Sequence, residues 1–407
     1  MSAAERRPAL FLLLYSELLV YEGGRTTWLA YFLPRIAQRE RFREIHVIHM
    51  DPGGGDDALP RRIERPPGAS PQRFHAAPLR LHGSERAPQR FASFTRAALR
   101  VLRREARAGD LLVAVGAHGE LPATLLGPAL QRLRRRRIKV VTWLREASLG
   151  QVRARRGRLV YSALNALNGL QLLGSQLVIA NGSDTAAHVS QRFPWVAGRL
   201  VTIPNGVDMA RFAGLPPLDL SARPLRLGFC GRLIEVKGFF DFVALARSLS
   251  DVPVELFAWG PSSERTPAFE EVRRAPPPRL TLRPPLQPDQ VPAALGSCGL
   301  VFLLSRSLQG EGAGGVSHST LEALAAGRVV VAWDSPHHRQ VYGDGAGVLV
   351  REGDVGALER VVRRCVAEPA YARELAERAR RGAALASDYS CERHVERFLE
   401  AIEPLLS

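Results

Sequence analysis

Short apolar runs alternate with helix-length amphipathic stretches along nearly the whole chain, and after Pro216 and Pro217 the alternation starts again. In the first half the runs fall at 10–14, 45–50, 111–115, 138–143, 177–180 and 200–203, with helical periodicity over 26–38, 89–107, 121–133 and 159–172. In the second half they fall at 225–229, 254–258, 280–282, 301–304, 329–333 and 348–350, with helices expected over 239–249, 292–296, 319–326 and 355–366. Runs this short and uniformly apolar suit strands buried on both faces of a parallel sheet. Strands that alternate with helices build βαβ units whose helices cover both faces. The pattern therefore predicts an α/β chain of two Rossmann-like domains facing a cleft. At 407 residues the chain is also too long for one ordinary core. A linker is expected within 206–222, which has the proline pair and no apolar periodicity. Helices over 370–387 and 392–406 close the chain, and 51–88, rich in Gly, Pro and Arg, reads as a long loop beside the cleft.

Composition narrows the function classes. The four cysteines fall singly, with no CxxC pair, which suits reduced thiols in a cytoplasmic protein better than a disulfide framework or zinc site. No run approaches the roughly 18 apolar residues that a bilayer span needs. Residues 9–21, after Arg6 and Arg7, imitate a signal peptide, but Glu17 interrupts them and no small-residue cleavage site follows. A buried first strand is the better reading. The net charge of +16 is unevenly placed. Up to Arg199 there are 32 Lys and Arg against 15 Asp and Glu, and beyond it 24 against 25. A genomic bias toward arginine would load both halves alike, so the asymmetry points to an anionic surface facing the first half. The RLRRRR run at 132–137 is its densest part, although such runs are usually just solvated. Nucleic acid is a poor candidate partner, since no aromatic platform or binding module accompanies the arginines.

Two strings in the second half carry chemistry. GFCGRLIEVKG (228–238) reads as a strand, a glycine turn and a helix start, with Arg232 and Lys237 near the turn. Open α/β sheets bind ligands beyond the carboxyl ends of their strands, and an Arg fork with a Lys point charge suits a diphosphate. Two cations beside a loop are by themselves more often plain surface residues. Yet Lys237 is one of only two lysines, with Lys139, in a chain that otherwise uses arginine. EGAGGVSHSTLEALAAG (311–327) follows another strand; its glycines free backbone N–H groups for an anionic or polyhydroxyl ligand, and Ser317 or Ser319 can cap the next helix. Glu322 lies early in that helix, where it either complements the macrodipole or accepts ribose hydroxyls.

Taken in order, IPNGVDMARF (203–212), GRLIEVKG (231–238), AWGP (258–261), the loop 311–327 and GAGVLVREGD (345–354) resemble the retaining glycosyltransferases of family 4, glycosyl transferases group 1, which have the GT-B fold. The likeness spans roughly 150 residues of the second half. In the first half it is thinner: an EGG turn at 22–24 and VGAHG at 115–119. The resemblance implies an N-terminal acceptor domain over 1–205 joined by 390–407, whose helix packs back on it, and a donor domain over 206–389. It implies that Arg232 and Lys237 bind and stabilise the donor diphosphate as leaving group, and that Glu322 holds the ribose. Gly23 and Gly24 match the turn that approaches the donor phosphates, and His118 follows a strand where members place a histidine near the sugar. One departure stands out. The sugar-contacting glutamate expected eight residues before Glu322 is Gly314 here, so Glu311, or backbone groups of Gly314, Gly315 and Val316, must serve instead.

The resulting expectation is a retaining hexosyltransferase moving a sugar from a nucleoside-diphosphate donor to a hydroxyl acceptor in surface polysaccharide or glycolipid assembly. The donor is a co-substrate, so no cofactor is implied. No DxD motif appears, in keeping with the family's metal independence. The acceptor is expected to be lipid-linked or an anionic glycan, with the enzyme cytoplasmic and peripheral on an anionic membrane through its basic half. The glycine at 314 also leaves open a catalytically weak paralogue that binds a nucleotide or partner.

Overall fold

The computed structural model describes residues 6–17, 24–51, 66–78, 87–116, 137–145, 162–163, 166–261, 266–306, 316–343 and 345–406. The chain divides into two compact units, Met1–Gly206 with Cys391–Ser407, and Val207–Ser390. Each is a parallel α/β sheet.

In the first unit the strands are β1 (Leu10–Glu17), β2 (Ile45–Asp51), β3 (Gln72–Pro78), β4 (Leu111–Val115), β5 (Lys139–Leu144), β6 (Leu177–Ala180) and β7 (Leu200–Thr202). They lie in the order β3-β2-β1-β4-β5-β6-β7. Every neighbouring pair is parallel. The pleat sorts β1 by period two. Leu10, Leu12 and Leu14 join one core with Trp28, Phe32 and Phe398, while Phe11 and Leu13 join the opposite core with Phe94 and Leu102. Helix Gly24–Gln38 and the closing helix Cys391–Leu406 thus share one face of the sheet, and helix Ala87–Glu105 covers the other.

The second unit contains β8 (Leu225–Cys230), β9 (Val254–Trp259), β10 (Leu280–Arg283), β11 (Leu300–Leu303), β12 (Val329–Trp333) and β13 (Val348–Val350), ordered β10-β9-β8-β11-β12-β13. Its central strands are again buried on both sides: Leu300 and Phe302 face one core, Val301 and Leu303 the other. Both sheets are doubly wound, with the strand order reversing between β1 and β4 and between β8 and β11.

The structure corrects two expectations. Part of the stretch read as a loop, 51–88, forms edge strand β3, which pairs in parallel with β2 from Gln72 to Pro78. Its only large apolar residue is Phe74, since an edge strand needs little apolar surface. The stretch read as a linker is packed into the second unit instead: Val207, Phe212 and Leu220 are buried, and Leu215 lies against Gly296. The four cysteines are all free thiols. Among the described residues, no helix is long and apolar enough to cross a membrane.

Candidate functional site

In a doubly wound sheet, neighbouring connections run to opposite faces at the point where strand order reverses, opening a crevice at the carboxyl ends of those strands. In the second unit that point lies between β8 and β11. The turn after β8 carries Arg232 and Lys237. It is pinned from below, as Gly231 N–H donates to the Trp259 carbonyl (3.0 Å) and Leu233 N–H to that of Pro261 (3.0 Å). Leu233 and Ile234 are buried beneath it, which leaves Arg232 exposed and Lys237 half-buried.

Gly238 ends the turn with φ +75° and leads into helix Phe239–Ser248. A Cβ there would fall 2.1 Å from the Leu304 carbonyl oxygen, so only glycine lets this turn lie against the end of β11. The approach joins the two sides of the crevice. Lys237 Nζ reaches Ser305 Oγ at 3.4 Å, and Arg306 N–H donates to the Val236 carbonyl (3.0 Å). Arg306 also clamps buried Asp241 in the first turn of the helix, its Nε lying 2.9 Å from Oδ2. Lys237 is thereby fixed at one end of the sheet, and Arg232 stands exposed on the same turn. Among the described residues the Arg232 guanidinium forms no ion pair.

Glu322 approaches the same end of β8 from helix His318–Ala325, which Ser317 caps by accepting from Thr320 N–H at 3.2 Å. Glu322 is buried. Burial pushes the Cys230 thiol, at the last position of β8, up to about 12, and the nearby Glu322 carboxylate adds to the shift. Val316, just before the cap, is buried as well. Arg232, Lys237 and Glu322 are therefore gathered where β8 ends. Arrayed there, two cations can neutralise a diphosphate while a carboxylate accepts from hydroxyls.

Of the other expected site residues, Gly24 starts helix Gly24–Gln38 after β1, at the switch point of the first unit. Gly23, His118, Glu311, Gly314 and Gly315 lie outside the described residues. Ser305, Asp241 and Arg306 were not singled out from sequence. Asp241 and Arg306 stand 65 positions apart, and only the fold shows that they meet.

Comparisons with known proteins agree with this fold. Residues 37–211 match the model of Glycosyltransferase Family 4, and residues 218–382 that of Glycosyl transferases group 1. Among solved structures, a sucrose-phosphate synthase from Thermosynechococcus elongatus is similar with a TM-score of 0.76 at 16% identity, covering 98% of this chain and 99% of that one. HepE of Anabaena, solved in complex with UDP-glucose, gives 0.70 at 17% identity over 98% and 99%. A glycosyltransferase from Rickettsia africae gives 0.65 at 13% over 99% of both chains. No curated protein sequence matches the chain. With one family model matched in each half and the same two-sheet fold throughout, the chain belongs to the GT-B glycosyltransferases.

Proposed function

We propose that the chain transfers a hexosyl group from a nucleoside-diphosphate sugar to a hydroxyl acceptor, with retention of anomeric configuration. The observation that carries this reading is the gathering of Arg232, Lys237 and Glu322 at the carboxyl end of β8, beside the switch point. As the glycosidic bond breaks, negative charge develops on the departing diphosphate, and cations placed there favour the transition state over the ground state. Bound UDP-glucose in the similar HepE structure supports a donor of this class. The first half would hold the acceptor, with Gly23 and Gly24 toward the donor phosphates and His118 toward the sugar, while Glu311 or the backbone of Gly314, Gly315 and Val316 takes the place of the absent glutamate. No metal is required in this reading.

The acceptor class follows from charge. A half with 17 excess positive charges suits a lipid-linked or anionic glycan acceptor, in polysaccharide or glycolipid assembly at an anionic membrane face. Arginine-to-glutamine changes across 132–137 should then weaken sedimentation with anionic liposomes.

The donor test is a thermal-shift panel of UDP, GDP, ADP and TDP with their sugar conjugates. A ligand at about 100 times its Kd adds roughly 2.7 kcal/mol, enough to see. One nucleotide family should raise the Tm, and Arg232→Ala should remove the effect. No shift with any nucleotide would overturn the donor assignment. For the chemistry, NMR of the first-formed product should show the donor's anomeric configuration, and transfer should continue in EDTA. An inverted product would refute retention. The glycine at 314 favours a second reading, a paralogue that binds nucleotide without turnover; nucleotide binding with no product from any donor would select it.

A further inference from the structure

The helical segment 166–174 of the first unit buries Leu172 in a small core but otherwise turns polar side chains inward and apolar ones outward. A surface helix of a soluble protein turns apolar residues inward and polar ones outward. Here Asn168 and Gln171 are buried, while the exposed side consists of Ala166, Leu170, Leu173 and Gly174. The reversal is anchored. Gln171 Nε2 donates to Thr142 Oγ1 on β5 (2.9 Å), and Thr142 in turn bonds Ser175 Oγ (2.7 Å), so the helix cannot roll its leucines inward without breaking a buried network. Leu170 and Leu173 remain 58% and 54% exposed.

A third exposed apolar group lies beside them. Trp195 is 50% exposed and packs edge-on against Phe193, ring centroids 5.3 Å apart. Both rings lie on Gly169: a Cβ there would stand 3.2 Å from Phe193 and 3.8 Å from Trp195. Leu173 is one helical turn beyond Gly169, so the leucines and the indole form one surface. Arg192 and Arg199 frame the 193–198 segment, and Arg199 ties it to the helix end by donating to the Leu172 carbonyl at 3.0 Å. Between 166 and 200 the one carboxylate side chain is Asp184, in the first turn of helix Ser183–Arg192.

We propose that this face docks the protein on an anionic phospholipid surface, Leu170, Leu173 and Trp195 entering the boundary between headgroups and acyl chains while Arg192 and Arg199 face lipid phosphates. The inference rests on the membrane association proposed above and adds an apolar anchor to the charge carried by 132–137. An indole has an apolar body and a polar N–H, which is why tryptophan settles at that depth. A few apolar side chains with flanking cations give reversible, charge-dependent attachment. A second copy of the chain fits less well. A two-fold contact through this face would bring Arg192 and Arg199 toward their own copies, with Asp184 the one carboxylate of 166–200 to answer them.

The protein carries its own reporter. Trp28, Trp143, Trp259 and Trp333 are buried, so Trp195 is the solvent-exposed tryptophan. Intrinsic fluorescence is to be titrated with vesicles of phosphatidylcholine alone and of phosphatidylcholine with phosphatidylglycerol, alongside sedimentation. The expected result is a blue shift with the anionic vesicles only, lost in Trp195→Phe. Leu170→Ser with Leu173→Ser should weaken vesicle binding roughly tenfold or more, with an unchanged melting curve because both sites are exposed. Sedimentation with anionic vesicles but unmoved emission would overturn this assignment and leave the membrane reading standing through other residues. No sedimentation would overturn both. A lipid-free blue shift that grows with protein concentration, together with a dimer mass, would assign the face to self-association and overturn the proposal.

Discussion

Arg232 and Lys237 leave one turn but are held differently, and the difference sets what each substitution should do. Arg232 is exposed, so Arg232→Ala should change the stability of the free protein by no more than about 0.5 kcal/mol while removing diphosphate binding. Lys237 is half-buried and bonded to Ser305, so Lys237→Ala should cost both stability and binding. Calorimetry with the nucleotide and melting without it separate the two; equal loss of stability in both variants would contradict this division. In the first unit, His394 makes a pH dependence. Its Nδ1–H donates to the Pro204 carbonyl (2.6 Å) and its Nε2 accepts from Trp28 Nε1–H (2.9 Å), which fixes a neutral ring. Burial, reinforced by the Arg145 charge, pushes its pKa down to about 3, against about 6.5 in the unfolded chain. Between those values the unfolded state binds a proton that the folded state does not. Stability is therefore full above about 6.5 and falls as pH drops through the window, by up to about 1.4 kcal/mol per pH unit. His75, pushed down to about 4 by burial and by His46, adds to the same window. Denaturant unfolding read from buried Trp28 and Trp143 should show that slope, and His394→Gln should flatten it by one proton. An unaltered slope would remove His394 from the account.

Among the elements, the β8 turn is where backbone geometry and ligand chemistry meet. Gly238→Ala introduces a Cβ 2.1 Å from the Leu304 carbonyl oxygen in addition to the cost of φ +75°, so it should destabilise the second unit by more than about 1–2 kcal/mol. It should also pull Lys237 from Ser305 and weaken nucleotide binding. Gly327 is the control: φ is +63°, but nothing lies within 4 Å of a Cβ there. Gly327→Ala should thus cost stability alone and leave nucleotide affinity unchanged; matched effects of the two on affinity would refute the close-approach argument. The same turn shows how far sequence reading reaches. Its strand, glycines and cations are contiguous in GRLIEVKG, and Glu322 sits in an equally readable string. The Asp241–Arg306 clamp and the Lys237–Ser305 bond each join residues more than 60 positions apart and leave no local trace. Strand β3 escaped notice because an edge strand needs no apolar run, and helices Ser183–Arg192, Pro267–Arg274 and Pro336–Tyr342 because each is short and largely polar.

On the scale of the whole molecule, the first unit is built from two separated stretches of chain. The chain leaves it at Gly206 and rejoins it at Cys391. A Cβ on Gly206 would stand 2.9 Å from the Cys391 Cα, so the two crossings abut. The returning helix is core as well as cover. Val395, Phe398 and Ile402 are fully buried, and the Phe398 ring stacks on Trp143 at 5.1 Å. Its outer edge pairs Arg35 with Glu392 and Arg39 with Glu396, but exposed pairs of this kind contribute little, and the apolar face dominates. Burying each of the three apolar side chains stabilises by about 1.5–3 kcal/mol, in a fold whose total stability is only about 5–15 kcal/mol. Fragment 1–206 alone should therefore lose fixed packing, with weak near-UV dichroism and red-shifted emission from Trp28 and Trp143. Adding 391–407 through a flexible linker should restore both signals, and fragment 207–390, a contiguous unit with its own two cores, should fold unaided. Should 1–206 alone show the native near-UV spectrum, the closing helix would be a cover on a finished sheet, and the buried side chains counted here would contribute far less than their area implies.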